Sequence, residues 1–148
     1  LVNFTQDFNI NTASAFVAAS QAVLGFKQLP DSASKTFIFT GNITNVTPIA
    51  PLLSSGVGKL ATARIIQSAA EAYKDQGFKY RHPFMISIVK KLTNCRFYYG
   101  DERNADGSPA YSKIDGEAHG KFYLQLAEGK SQGPWQQTFV KDVGYKQF

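Results

Sequence analysis

An α/β fold, a parallel sheet flanked by helices, is predicted from three features of the chain. Residues 11–26 repeat apolar side chains with helical spacing. Phe37-Ile38-Phe39 is a continuous apolar run, as in a strand buried on both faces rather than one alternating between core and water. A second helical pattern over residues 56–73 then follows, and a helix, a doubly buried strand and another helix in succession stack most simply as layers around a parallel sheet.

The first helix places Ala15, Phe16, Ala19, Val23 and Phe26 on one face, and Gly25 and Pro30 punctuate its end. The strand is expected over residues 35–42, bounded by Ser34-Lys35 and Gly41-Asn42. Residues 44–55 contain Pro48 and Pro51 and read as a loop at the strand's carboxyl end, where open α/β sheets place ligands. In the second helix, Val57, Ala61, Ile65, Ala69 and Tyr73 recur at i+4, Lys59, Arg64, Gln67, Glu71 and Lys74 supply polar positions, and Gly77 caps the end. Phe97-Tyr98-Tyr99 reads as a second strand and residues 101–108 as a polar loop with turn signals at Asn104 and Asp106-Gly107. Asp115 is the expected cap of a helix through Ala118, Phe122, Leu124 and Leu126 to Gly129, and residues 135–140 form a last strand. There is no internal repeat.

The chain has 148 residues, 43% of them hydrophobic, enough for the core of one domain. Its longest apolar runs are strand-sized, far short of a membrane span, and no signal peptide is recognisable. Cys95 is the lone cysteine, which favours a reducing compartment, the cytoplasm by default; the sequons beginning at Asn3, Asn42 and Asn45 are then read as chance. The net charge of +5 invites a nucleic-acid reading, but Arg81, Lys90, Lys91 and Arg96 carry most of it within one segment that has no acid. A nucleic-acid binder would depend on that segment alone, and no nucleic-acid partner is expected.

Five strings, in this order and spacing, resemble the later half of the short-chain dehydrogenase/reductase family, and more narrowly its divergent fungal members. They are Asp7-Phe8-Asn9-Ile10-Asn11-Thr12, Thr36-Phe37-Ile38-Phe39-Thr40-Gly41-Asn42, Gly56-Val57-Gly58-Lys59, Tyr98-Tyr99-Gly100-Asp101-Glu102-Arg103 and Pro134-Trp135-Gln136-Gln137-Thr138-Phe139-Val140-Lys141. The resemblance implies a partial Rossmann-like, doubly wound sheet lacking its first βαβ unit, with residues 1–148 the carboxyl-terminal part of one NAD(P)-binding domain. It implies NAD or NADP as cofactor of the intact parent, a small-molecule carbonyl or alcohol substrate, and an assembly compatible with a homo-oligomer.

In that family a tyrosine exchanges a proton with the substrate oxygen, a lysine one turn later lowers its pKa and holds the nicotinamide ribose, a serine polarises the carbonyl, and an asparagine holds a relay water. By position Lys59 matches the lysine and Asn11 the asparagine, whereas Ser55 stands for the tyrosine and Asn42 for the serine. A serine hydroxyl is a far weaker acid than a phenol and reaches less far, so Lys59 cannot make Ser55 an equivalent donor. Two functions follow: an atypical NAD(P)-dependent oxidoreductase, or a non-catalytic binding or regulatory protein that keeps the dehydrogenase fold.

Read without the resemblance, these residues have plainer roles. Lys59 is a solvated lysine on an amphipathic helix, Asn11 and Ser55 are helix caps and Asn42 a turn former. Gly56-Val57-Gly58-Lys59 lacks the full phosphate-loop pattern, with Leu60 where the magnesium-binding hydroxyl belongs. His82 and His119 have no metal-ligand companions, so no metal is expected. Adjacent charges at Asp101-Glu102-Arg103 are expected to face solvent, while Trp135, Phe139, Tyr145 and Phe148 are expected in the core or a subunit contact.

Residues 80–96 fit neither neighbour, because related chains run from Gly77-Phe78-Lys79 straight into Phe97-Tyr98-Tyr99. The segment reads as an insertion resembling a retained intron: codons for Lys79-Tyr80 permit a splice donor, and those for Leu92 to Arg96 permit a branch point and acceptor. Excising its 17 codons rejoins Lys79 to Phe97 in frame. Transcript reads across this junction are expected to skip residues 80–96; uniform coverage through them would refute the insertion.

Overall fold

The structure, a computed structural model, describes residues 1–73 and 94–148. The chain begins in one long helical stretch: α1 (Val2–Phe8), a π-helical turn (Asn9–Ala13) and α2 (Ser14–Phe26) follow without a break. Strand β1 (Lys35–Thr40) leads through 3-10 turns at Ile43–Asn45 and Ala50–Leu52 into α3 (Leu53–Ala72). Beyond residue 93 come β2 (Cys95–Arg103), a 3-10 turn (Tyr111–Lys113), α4 (Gly116–Glu128), β3 (Gln136–Val140) and β4 (Gly144–Tyr145).

The strands form one sheet in the order β1-β2-β3-β4. The first three are parallel, with Lys35 paired to Cys95 and Tyr99 to Gln136, and β4 returns antiparallel on β3. The expected α/β class and parallel sheet are therefore present, in a mixed four-stranded form consistent with a partial Rossmann-like fold. Among the described residues β1 has a strand on one side only.

Two faces of the sheet are covered differently. Odd-numbered residues of β1 and β2 point to α2 and α3: Phe97 meets Phe26, Phe37 and Tyr73, and joins Ala63, Ile66, Ala70 and Tyr99 in the main core. Burying each such ring contributes about 1.5–3 kcal/mol. On the opposite face Phe122 of α4 stacks on Phe139 of β3 at 4.4 Å. Arg96, 2% exposed, lies on this second face, where it donates to Thr36 Oγ1 and Ser34 Oγ and to the Ala127 and Gly129 carbonyls at the carboxyl end of α4. Those carbonyls lack intrahelical partners, so a guanidinium there satisfies them and offsets the helix dipole.

Several expectations need correction. The first helix starts nine residues earlier than its apolar period suggested, so Asn11 is mid-helix and not a cap. Phe16 is 57% exposed; only Ala15 and Ala19 of the expected face are buried, with Val23 and Phe26 packed beside the core. In α3 the buried line is Gly58, Thr62, Ile66 and Ala70, one residue on from the line through Val57 and Ile65, because small side chains admit the first helix closely. Strand β2 is longer than residues 97–99, and Asp101, Glu102 and Arg103 are buried strand residues rather than a solvated loop. Of the residues expected in the core or a subunit contact, Phe139 is in the core, while Tyr145 and Phe148 are 43% and 51% exposed, which leaves them the subunit-contact alternative.

Of the expected insertion at 80–96, Cys95 and Arg96 open β2 while residues 80–93 lie outside the described residues, as do Gly77 and His82. Among the described residues no helix is long and apolar enough to cross a membrane.

Gly41 is the tightest point in the sheet's carboxyl edge, for a Cβ there would fall 1.9 Å from Cζ of the fully buried Tyr99. Gly41→Ala is expected to cost about 1–3 kcal/mol or more, since neither the ring nor the strand end has room to move. Urea unfolding with a midpoint equal to that of the parent would show the contact to be slack.

Candidate functional site

The carboxyl end of β1 is shaped by what packs against it. Tyr99 fills the space left by Gly41, and its hydroxyl accepts from the Asn42 N–H at 3.2 Å while donating to the Asn42 carbonyl at 3.1 Å. Burial raises the phenol's pKa, so it stays neutral and can keep both bonds. Asn42, thus fixed, caps the turn Ile43–Asn45: its Oδ1 accepts from Thr44 N at 3.0 Å and Thr44 Oγ1 at 2.6 Å. The plain reading of Asn42 as a turn former therefore holds, and Thr44, buried and next to Gly56, is the hydroxyl that stands beside it.

Helix α3 brings Ser55 and Lys59. Ser55 lies inside its first turn, half-buried; the cap position is Leu52, so Ser55 does not cap. The neighbouring Ser54 is the one that bonds Asp7. Lys59 is half-buried, with Nζ 4.8 Å from the centre of the Phe39 ring, and burial lowers its pKa. That ring is its recorded partner among the described residues, with no carboxylate beside it.

Asn11 reaches the same region from the π turn. A Cβ on Gly58 would stand 2.7 Å from Asn11 Cβ, so the absence of a side chain at 58 lets the two helices touch. Thr12 Oγ1 donates to the Gly58 carbonyl at 3.1 Å, and Thr62 Oγ1 donates to the Asn11 carbonyl. The side chain of Asn11 donates to Asp7 O at 3.0 Å, closing the widened turn. Positions 11, 55 and 59 are thereby gathered on two touching helices, and position 42 on the turn packed against α3. Gly56 to Lys59 are helical, so no loop is present there to cradle a phosphate.

A second cluster at the strand ends was not foreseen. Asp101 and Arg103 point to one side of β2 and pair at 2.5 Å, with Arg103 also donating to the Gly107 carbonyl at 3.1 Å. Asp101 is pushed up in pKa by burial, which the arginine partly reverses. Glu102, on the other side, accepts from the Asp115 N–H at 2.8 Å and lies 3.3 Å from His119 Nδ1. These three adjacent charges staple the loop after β2 and the start of α4. The available clue was that the β-forming run Phe97-Tyr98-Tyr99 can extend into charges that have partners on both faces. Among the described residues no group of three or more potential ligands could hold a metal.

A mostly parallel sheet with helices on both faces defines an α/β protein, consistent with a partial Rossmann-like fold. The chain is 45% identical over all 148 of its residues to the short chain dehydrogenase/reductase dmxR12 of Cryptosporiopsis sp. (strain 8999), of whose length it spans 53%. It is a partial short-chain dehydrogenase/reductase-like sequence. No family model matches it, and no solved structure does.

The Lys59 ammonium is expected to titrate below the ordinary lysine value of 10.5, because burial penalises its charged form. The sign follows from linkage: a lysine depressed in the folded state weakens the fold at neutral pH, and stability recovers as pH rises through the folded toward the unfolded value. Lys59→Met should therefore unfold no more easily than the parent at neutral pH. NMR titration of the lysine side chains checks this; a Lys59 value at or above its neighbours' would contradict the desolvated placement.

Proposed function

We propose that the chain is the carboxyl-terminal part of an atypical NAD(P)-dependent oxidoreductase acting on a small carbonyl or alcohol, within a longer cytoplasmic protein. The observation that carries the reading is Lys59: a half-buried ammonium at the carboxyl end of a parallel strand, without a carboxylate partner among the described residues. It is suited to hold the ribose hydroxyls of a nicotinamide cofactor. Among the described residues no strand lies beside the outer edge of β1, a place suited to a further parallel strand from the remainder of such a domain. When bound, the cofactor supplies the hydride. This chain's residues would orient the sugar through Lys59 and the substrate oxygen through Asn42 or Thr44, with Asn11 placed beside α3. Ser55 offers no acid of a phenol's strength.

That last point favours the second reading, a binding or regulatory protein that retains the fold and the cofactor without turnover. Neither reading calls for nucleic acid or a membrane as a partner. Of the four cations in residues 80–96, Arg96 is already committed to α4, and a homo-oligomer remains compatible with both readings. In a chain lacking 80–96, Phe78-Lys79 would precede Phe97, an apolar residue and a cation in the places of Cys95 and Arg96.

Calorimetric titration of the longer protein with NADH and NADPH tests the proposal. One of the two is expected to bind, and Lys59→Ala should weaken it about tenfold, near 1.4 kcal/mol. A screen of aldehydes and ketones then divides the readings: turnover supports the oxidoreductase, binding alone the second, with Ser55→Tyr expected to raise turnover. Absence of binding by either nucleotide defeats both.

A further inference from the structure

A cleft of about 350 Å³ opens on the tail side of the sheet; positions 11, 42, 55 and 59 do not line it, and it comes nearest to them in sequence at Val46, the end of the turn that Asn42 begins. Its walls come from Val46, Arg103, Trp135, Gln136, Tyr145 and Phe148. Three of these are aromatic, and Trp135 backs onto the main core through Tyr99 and its neighbours. The tail is held in place over the cleft rather than dangling. Lys146 N–H donates to the Thr138 carbonyl at 2.9 Å, Lys146 Nζ donates to the Ala105 carbonyl at 2.6 Å, and Phe148 packs against Gly107. A ligand entering here meets rings already positioned, so little ordering cost opposes binding.

We propose that this cleft binds a flat, uncharged aromatic molecule of about two or three fused rings, a size fitted to the lower end of small-molecule pockets. The aromatic walls select a flat ring system, because stacked or edge-on rings gain attraction beyond simple burial. Charge selects a neutral one. Arg103 is the buried cation at the cleft, and its guanidinium is committed to Asp101 at 2.5 Å and to Gly107, so an anion would have to displace an existing pair. The exposed-side ammonium of Lys146 is held by the Ala105 carbonyl at 2.6 Å and lies against the Phe148 ring, 4.9 Å from its centre. The groups left to meet a ligand's hydroxyl or carbonyl are the side-chain amides of Gln136 and Gln147 and the Tyr145 hydroxyl, which make no hydrogen bond among the described residues. An amide both donates and accepts, so a phenol and a quinone-like carbonyl are equally served.

The single tryptophan of the chain lies in the cleft, which makes its emission a local reporter. Titration of the full chain with 2-naphthol is expected to change Trp135 emission saturably, and Phe148→Ala should raise the midpoint about tenfold. Because Phe148 is 51% exposed, its removal leaves the sheet intact, and unchanged circular dichroism would document this; Phe148→Tyr should retain the parent midpoint. A linear quench matching that of N-acetyltryptophanamide, a Phe148→Ala midpoint equal to the parent's, or tighter binding of 2-naphthalenesulfonate would each overturn the proposal. Nucleotide binding, measured separately by calorimetry, has no bearing on this result, so loss of the oxidoreductase reading and loss of the cleft are distinguishable.

Discussion

Tyr99 makes the contact on which the strand-end geometry depends. Its ring takes the volume that Gly41 leaves empty, and its hydroxyl closes a two-way hydrogen bond with the backbone of Asn42. A buried hydroxyl must satisfy its bonding capacity within the protein, and a buried backbone amide likewise, so the two requirements are met together. The chain leaves β1 in one direction as a result. The turn Ile43–Asn45, its seat against α3 and the approach of Thr44 to Gly56 all follow from that exit.

The second constraint is closeness. Gly58 has no side chain, and the first helix comes near enough for Thr12 to reach the Gly58 carbonyl and for Thr62 to reach that of Asn11. Hydroxyls that bond across a helix contact fix rotation and height at once, which a purely apolar seam does less well. The π turn Asn9–Ala13 widens the helix at this contact. Lys59 gains its position as a consequence: with Gly58 turned inward, the next residue points over Phe39.

Class, strand positions and parallel pairing were legible in the sequence because Phe37-Ile38-Phe39 and Phe97-Tyr98-Tyr99 are apolar on both faces, and Asp115 was legible as a cap because its carboxylate accepts from Glu117 and Ala118 N–H. The face of α3 was not. Apolar periodicity points to Val57, Ala61 and Ile65, yet close packing prizes small residues, so the buried line runs through Gly58 and Thr62. The charges of Asp101, Glu102 and Arg103 were misread for a related reason: solvent is the default partner of a charge, and only the folded chain brings Arg103 to Asp101 and His119 to Glu102. Of the positions proposed for chemistry, 11, 42, 55 and 59 were nominated by the resemblance to the dehydrogenase/reductase family. Tyr99 has no periodic signature, and its role emerges only from the turn it holds.

The buried Asp101–Arg103 pair also divides the carboxyl end of the sheet in two. On the β1 side stands Lys59, cationic and without a carboxylate partner among the described residues; on the β3 side lies a cleft whose buried cation, Arg103, is already neutralised. An anionic or hydroxyl-rich ligand therefore gains most near β1, and a neutral aromatic one near β3. Breaking the pair to recruit Arg103 for an anion would strand Asp101, 1% exposed, as an uncompensated buried carboxylate, a loss of about 3–5 kcal/mol. Neither Ser55 nor Lys59 touches that pair, so substitutions there leave Arg103, and the cleft wall it forms, in place.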